Sequence, residues 1–217
     1  MRNIRFLNDL DWVLLNNVDS LESMYVPIRM WLPEIAALRG VEQPVRHHPE
    51  GDVWTHTLQV VQCTPKDRIT RWAALFHDSG KLHTQGINNR GDICFHNHED
   101  ISAEIVREVL RDFKFVEDVA WLVQNHMRMH VFFEMKKTKQ YHLASDPRFP
   151  LLLYLHRADR PEGNYIAIRE WYKEKKDVFA LQAFNNEYYG RIYATDESPS
   201  GGISTDVGYG KRHEVAP

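Results

Sequence analysis

Apolar residues recur at helical spacing along nearly the whole chain. Trp12-Val13-Leu14-Leu15, then Met30-Trp31-Leu32 through Ile35-Ala36-Ala37-Leu38, predict opening helices closed by Gly40. Residues 42–51 hold Pro44, Pro49 and Gly51 and predict a loop. Val53, Val60 and Val61 share one stripe of a helix over 53–62, and a third clear helix covers 69–78, stopped by Gly80. Residues 83–98, with Gly86, Asn88, Asn89 and Gly91, predict a long polar loop. Asp100 or Ser102 is placed to cap the next helix, which carries Ile101, Ile105, Val109 and Phe113. Val119, Ala120, Leu122 and Val123 face inward from a helix over 116–126. Asp146-Pro147 predicts an N-cap and a proline at the first helical position, ahead of a run through Leu151-Leu152-Leu153-Tyr154-Leu155 to Asp159. A last helix covers 165 to about 189, after which residues 196–217 turn rich in Gly and Ser and lose the period. With neither a repeat nor a strand-rich region, the pattern predicts one all-α domain over 1–195 and a flexible C-terminal tail over 196–217.

Composition narrows the function classes. The formal net charge of -3 gives no basic footprint for extended nucleic acid, leaving short or terminal nucleotide ligands. Cys63 and Cys94 lie far apart without CxxC spacing, which argues against a disulfide framework or a zinc ribbon and fits a reducing cytoplasm. Arg2, Arg5, Asp9 and Asp11 interrupt any signal-peptide core, and no stretch reaches the length of a membrane span. Histidine is the unusual residue: ten of 12 fall between His47 and His142.

Within that stretch, His56 lies on a helix beside the inward valines. The apolar run Ala73-Ala74-Leu75-Phe76 ends on His77-Asp78, with Lys81 three residues on. Asp159 closes the helical string Leu155-His156-Arg157-Ala158-Asp159. A charged dyad at the inner end of an apolar helix is costly to bury unless paired or coordinated. Imidazoles and carboxylates together can hold a divalent metal, and they suit Mn, Fe, Co, Ni or Zn better than Mg.

The ordered strings Leu32-Pro33-Glu34-Ile35-Ala36-Ala37-Leu38-Arg39-Gly40-Val41, His48-Pro49-Glu50-Gly51-Asp52-Val53-Trp54-Thr55-His56-Thr57-Leu58, Ala73-Ala74-Leu75-Phe76-His77-Asp78-Ser79-Gly80-Lys81 and Phe95-His96-Asn97-His98-Glu99 carry a family resemblance. The chain resembles the HD-domain metal-dependent phosphohydrolases, more closely the C-terminal HD domain of bacterial tRNA nucleotidyltransferases (CCA-adding enzymes). The resemblance implies an HD helical bundle and places the metal ligands on His56, His77, Asp78 and Asp159. It also implies helper positions near the phosphate at Lys81 and His98, and at His126 either another metal ligand or a phosphate contact. Those enzymes carry a nucleotidyltransferase head, and about thirty residues precede the match here, too few for such a head. The expectation is therefore hydrolysis by this chain and not CCA addition.

The activity implied is hydrolysis of a nucleotide phosphoester by a metal-activated water, of the 2′,3′-cyclic phosphodiesterase, nucleotidase or phosphatase type. Asp78, Lys81, His98 and His126 are the expected catalytic residues, and Arg46, His48, Lys81 and His98 the expected substrate contacts. The expected partner is a small nucleotide or a short RNA 3′ end, toward which the lysines of Lys136-Lys137-Thr138-Lys139 could guide a strand. The competing reading is a nucleotide- or RNA-end-binding module with a structural metal and no catalysis. Phe132-Phe133 and Tyr188-Tyr189 read as core or as contact between two copies, which leaves a homodimer open. His83, His130, His142 and His213 read as incidental, and His156, one turn before Asp159, as a residue that orients that carboxylate.

Overall fold

The computed structural model describes residues 3–44, 46 and 48–175. Helix α1 (Ile4–Asn16) starts where the Asn3 side chain accepts the Phe6 N–H, and buries Phe6, Leu7, Leu10 and Leu14. Two short 3₁₀ turns lead into α2 (Tyr25–Trp31) and the single turn α3 (Pro33–Ala36). Asp52 caps α4 (Val53–Cys63) through the Thr55 N–H, and Asp67 caps α5 (Arg68–Phe76) through the Thr70 N–H.

Helix α5 is the axis of the fold. Every residue from Ile69 to Phe76 is buried, and α1, α4, α7, α8 and α10 all pack against it. Burying Ile69, Trp72, Leu75 or Phe76 stabilises by roughly 1.5–3 kcal/mol each, so apolar packing sets the helix position and delivers the following dyad into the interior. At the outer end, Arg71 donates to the Leu14, Thr64 and Pro65 carbonyls, and the Trp72 indole N–H donates to Asp11 Oδ1 at 2.7 Å. Those bonds lock α1 and the α4–α5 turn onto the same axis.

The turn after α5 leads into α6 (Lys81–Thr84) and an antiparallel hairpin of β1 (Gln85–Ile87) and β2 (Ile93–Phe95), with Gly86 opposite Cys94. Here the structure differs from the long loop expected over 83–98. The strands are three residues each, too short for alternation to register. Their turn is made by the Asn88 side chain accepting the Arg90 and Asp92 N–H groups and by Gly91 at φ 84.

Helix α7 (His98–Val109) begins at His98 behind Asn97 in the left-handed region, so neither Asp100 nor Ser102 is its N-cap. Ser102 Oγ instead accepts the Gly80 N–H at 2.7 Å. Helix α8 (Val116–His130) runs one turn beyond the expected stop at His126. Helix α9 (Lys137–Ala144) is followed by α10 (Phe149–Asp159), which starts later than Asp146-Pro147 suggests, with Pro150 in its first turn. Asp146 accepts the Arg148 N–H ahead of that helix. Helix α11 is described over Tyr165–Lys175; its expected extension to 189 and the expected tail over 196–217 lie outside the described residues. The all-α expectation holds, with the hairpin as the one sheet among the described residues. No helix among them is long and apolar enough to cross a membrane.

Candidate metal centre

Three helices converge on a buried cluster of imidazoles and carboxylates. His56 comes from the middle of α4, His77 and Asp78 from the turn that ends α5, and Asp159 from the last residue of α10. His56 Nε2 lies 2.9 Å from Asp159 Oδ1 and 3.8 Å from Asp78 Oδ2. His77 Nε2 lies 3.2 Å from Asp78 Oδ2 and 3.5 Å from Asp159 Oδ1. The four residues expected as ligands are thus brought together.

A second group meets the other oxygen of Asp78. His98 Nε2 from the start of α7 stands 3.2 Å from Asp78 Oδ1, and His126 Nε2 from α8 stands 3.9 Å from it. Asp78 therefore divides its carboxylate between two clusters, Oδ2 toward His56 and His77 and Oδ1 toward His98 and His126. Lys81 Nζ approaches Asp78 Oδ2 to 2.7 Å and donates to Gln43 Oε1 at 2.6 Å. Asp78 Oδ2 itself receives no well-aligned hydrogen bond, so the lysine contact is a close ion pair without hydrogen-bond directionality.

The ring protons can be assigned from partners that only accept. His77 Nδ1 donates to the Ala74 carbonyl at 2.8 Å, His98 Nδ1 to Phe95 at 2.8 Å and His126 Nδ1 to Val123 at 2.6 Å. In the neutral rings each Nε2 is then a lone pair aimed at the cluster. His77 Nε2 is buried without a hydrogen-bond partner, and the Nε2 atoms of His98 and His126 face each other at 3.3 Å. Two lone pairs at that distance repel unless a proton or a cation lies between them. The orphaned nitrogen, the facing pair and the mixed N/O donor set all fit a divalent cation.

Charge in the cluster follows the same geometry. Burial alone would push His77 toward the neutral form, but the Asp78 and Asp159 carboxylates outweigh it and raise its pKa to about 10. Burial likewise opposes ionisation of Asp78, yet His77 and the Lys81 ammonium hold its carboxyl well below the usual range. Asp159 is held down against its own burial by hydrogen bonds from His130 and His56 and by the nearby His77 imidazole. His126 is driven well below the ordinary imidazole value by burial and by the neighbouring His98 and His77.

The outer residues divide. His48 is half-buried beside the cluster, its pKa lowered by burial and by Lys81. Arg46 is exposed, with no contact described to the cluster, and His47 lies outside the described residues. His83, His96 and His142 are exposed. His130, expected to be incidental, is part of the site. Its Nε2 donates to Asp159 Oδ2 at 2.8 Å while Arg160 donates to its Nδ1 at 3.4 Å. The extra turn of α8 brings it there, at i+4 from His126, which is the one signal the sequence held. His156 is buried, but its Nε2 meets Asn164 Oδ1 at 2.7 Å, so no hydrogen bond to Asp159 is described for it. Glu50, 2.6 Å from His56 Nδ1, and Gln43 were also missed as site residues; Glu50 stood in the matched string His48-Pro49-Glu50, while nothing in its spacing separates Gln43 from ordinary loop polars.

Imidazoles and carboxylates presented by separate helices around one shared aspartate offer donor groups that could hold a metal, set in a helical bundle of the HD type. The sequence model described as HD domain matches residues 53–163, more than half of the chain, and the chain belongs to that family. It is 37% identical over 152 residues to a CC-adding tRNA nucleotidyltransferase of Thermus thermophilus, covering 65% of this chain and 34% of that protein. It is 36% identical over 116 residues to a multifunctional CCA protein of Pseudomonas fluorescens, covering 50% of this chain and 28% of the relative. It is 29% identical over 208 residues to the multifunctional CCA protein of Neisseria meningitidis, covering 87% and 46%. The chain thus spans less than half the length of these relatives. No solved structure gives a significant match.

Proposed function

We propose that the protein is a metal-dependent phosphohydrolase acting on a nucleotide phosphoester, of the cyclic phosphodiesterase, nucleotidase or phosphatase type. The observation that carries this reading is the double use of Asp78. One buried carboxylate faces imidazole nitrogens on both sides and has the Lys81 ammonium 2.7 Å away. Such a site concentrates positive charge once a cation is held, as an anionic phosphoryl group requires.

The residues that would hold the cation are His56, His77, Asp78 and Asp159, with His98 and His126 able to serve a second one through Asp78 Oδ1. When bound, the metal would supply Lewis acidity toward a phosphoryl oxygen and would acidify a water. Asp78, kept ionised by His77 and Lys81, would orient that water by accepting a hydrogen bond from it. In the hydrolysis the water oxygen adds to phosphorus and gives up a proton to solvent, the ester P–O bond breaks, and the departing alkoxide takes a proton from solvent. Lys81, anchored by Gln43, offsets charge on the non-bridging oxygens. His98 and His126 present Nε2 lone pairs in their neutral forms, so they act first as ligands or acceptors. His48 stands at the solvent side as a contact for the rest of the substrate.

The relatives are tRNA nucleotidyltransferases by name, which supports a nucleotide or an RNA 3′ end as the molecule presented to this site. The test is a panel of nucleoside 2′,3′-cyclic phosphates, nucleoside mono- and triphosphates and p-nitrophenyl phosphate, each with Mn, Co, Ni, Mg or Zn. Turnover of one class with at least one metal, lost about 10²-fold or more in Asp78→Ala, supports the reading. Turnover by Asp78→Ala equal to the parent refutes it. A metal-loaded parent that binds nucleotides without hydrolysing any would instead make the protein a binding module.

A further inference from the structure

The loop between α3 and α4 is a clip closed at its neck. Asp52 accepts the Gly40 N–H through Oδ2 at 2.7 Å and the Thr55 N–H through Oδ1 at 2.8 Å, and Glu42 bridges to Asp52 across the same neck. Gly51, at φ 110, turns the chain back into α4 immediately after Glu50. The fold therefore fixes where the Glu50 carboxylate stands.

That carboxylate serves two imidazoles with one oxygen. Glu50 Oε1 lies 2.6 Å from His56 Nδ1 and 3.0 Å from His48 Nδ1, and the two rings meet edge to face at 4.8 Å. An ionised carboxylate only accepts, so both Nδ1 atoms carry a proton toward Glu50; that leaves the His48 Nε2 an acceptor in its neutral ring, while the His56 Nε2, 2.9 Å from Asp159 Oδ1, is the atom left to face a cation. The Nε2 of His56 points at Asp159 and Asp78. On His48, whose side chain is 23% exposed, no hydrogen bond is described for Nε2. His77, His98 and His126 are oriented by main-chain carbonyls, whereas His56 depends on a side chain.

We infer that Glu50 is a positioning residue that sets the tautomer of two histidines at once: His56 as a metal ligand, and His48 as a hydrogen-bond acceptor facing the substrate. The substrate half of this inference rests on the hydrolase reading; the metal half does not. His48, Glu50 and His56 are not a cation site of their own. Two ligands at about 2.1 Å from one metal stand about 3 Å apart at a right angle, and the 2.6 Å between Glu50 and His56 is a hydrogen-bond length.

The experiment needs neither substrate nor turnover, so a blank substrate panel would sink the hydrolase reading and leave this one standing. Mn²⁺ affinity is measured by calorimetry for the full chain and for Glu50→Ala, Glu50→Gln and His48→Ala. Histidine tautomers are read from long-range ¹⁵N–¹H correlation spectra of the metal-free proteins. In the parent, His48 and His56 carry the proton on Nδ1. Glu50→Ala binds Mn²⁺ about 10–100-fold more weakly and mixes the tautomers of both rings, while His48→Ala keeps its Mn²⁺ affinity within about twofold. Glu50→Gln retains an accepting oxygen but no charge, and loses affinity severalfold; it carries the test if Glu50→Ala fails to melt as a folded protein. Parent-like Mn²⁺ affinity in the folded glutamate variants, or unchanged tautomers in Glu50→Ala, overturns the inference.

Discussion

Gly80 is the point where the two halves of the site touch, and Gly80→Ala tests that contact. A Cβ built there would overlap the His98 carbonyl oxygen and stand 2.9 Å from the Ser102 nitrogen and 3.0 Å from Ile101 Cβ. Two of these atoms are backbone at the start of α7, so no side chain can swing away and the helix itself must move. Overpacking of this kind costs about 1–3 kcal/mol. Because rigid backbone takes the strain, and the 2.7 Å bond from Gly80 N–H to Ser102 Oγ is stretched with it, the expected loss is the upper end, about 3 kcal/mol. At roughly 2–4 °C per kcal/mol for a chain of this size, Tm falls by about 6–12 °C. The same displacement carries His98 away from Asp78 Oδ1, now 3.2 Å from its Nε2. A misplacement near 1 Å lowers turnover about 10²-fold. Ser102→Ala is the companion variant. It removes the hydrogen bond without adding bulk, so it should cost only about 1–2 kcal/mol and spare most activity. Thermal melting with and without Mn²⁺, beside turnover of the substrate found in the panel, reads both effects. A Gly80→Ala protein that melts within about 2 °C of the parent and keeps its activity would refute the close packing of α7 on the dyad turn.

Two further outcomes follow from the charges. Lys81→Ala should lower turnover about 10²–10³-fold while leaving metal content intact; loss of the metal, measured by elemental analysis, would make Lys81 a structural residue. Metal uptake should release protons, because His77, with its pKa raised to about 10, holds a proton at neutral pH that the cation must displace. Affinity therefore rises with pH up to about 10, and calorimetry in buffers of different ionisation enthalpy should find about one proton released per metal at pH 7. Without metal, the raised His77 pKa stabilises the fold fully below its ordinary value of 6.5, and that stabilisation is lost as pH climbs through about 10. The depressed Asp78 and Asp159 act oppositely: their contribution is present above the ordinary carboxylate range and is lost as pH falls. A metal affinity independent of pH between 6 and 9, on the order of one decade or less across the range, would contradict the proton competition.

The helical frame and the candidate ligand residues were legible because each rests on a local pattern. Apolar spacing around His56 and ahead of His77-Asp78 shows which helices end inside, and imidazole beside carboxylate names the chemistry. What could not be read depends on tertiary approach. The partition of Asp78 between two clusters needs α7 and α8 to meet over the α5 turn, and the partnership of His130 with Asp159 needs the last turn of α8 to reach the end of α10. Glu50 and Gln43 sit in a proline-containing loop whose fold is set by Asp52 and two glycines at positive φ, and no periodicity announces where such a loop aims its side chains. The hairpin at 85–95 was hidden for a related reason: its turn is built by side-chain hydrogen bonds from Asn88 rather than by an alternating pattern.

The central claim is that His56, His77, Asp78 and Asp159 jointly hold a cation. Crystals of the full chain grown with Mn²⁺ or Ni²⁺ and measured at the metal's absorption edge test it most directly. The account predicts an anomalous peak about 2.1 Å from His56 Nε2 and His77 Nε2 and from an oxygen of each aspartate. Those four side chains turned apart around a centre with no anomalous signal, at saturating metal, would contradict it.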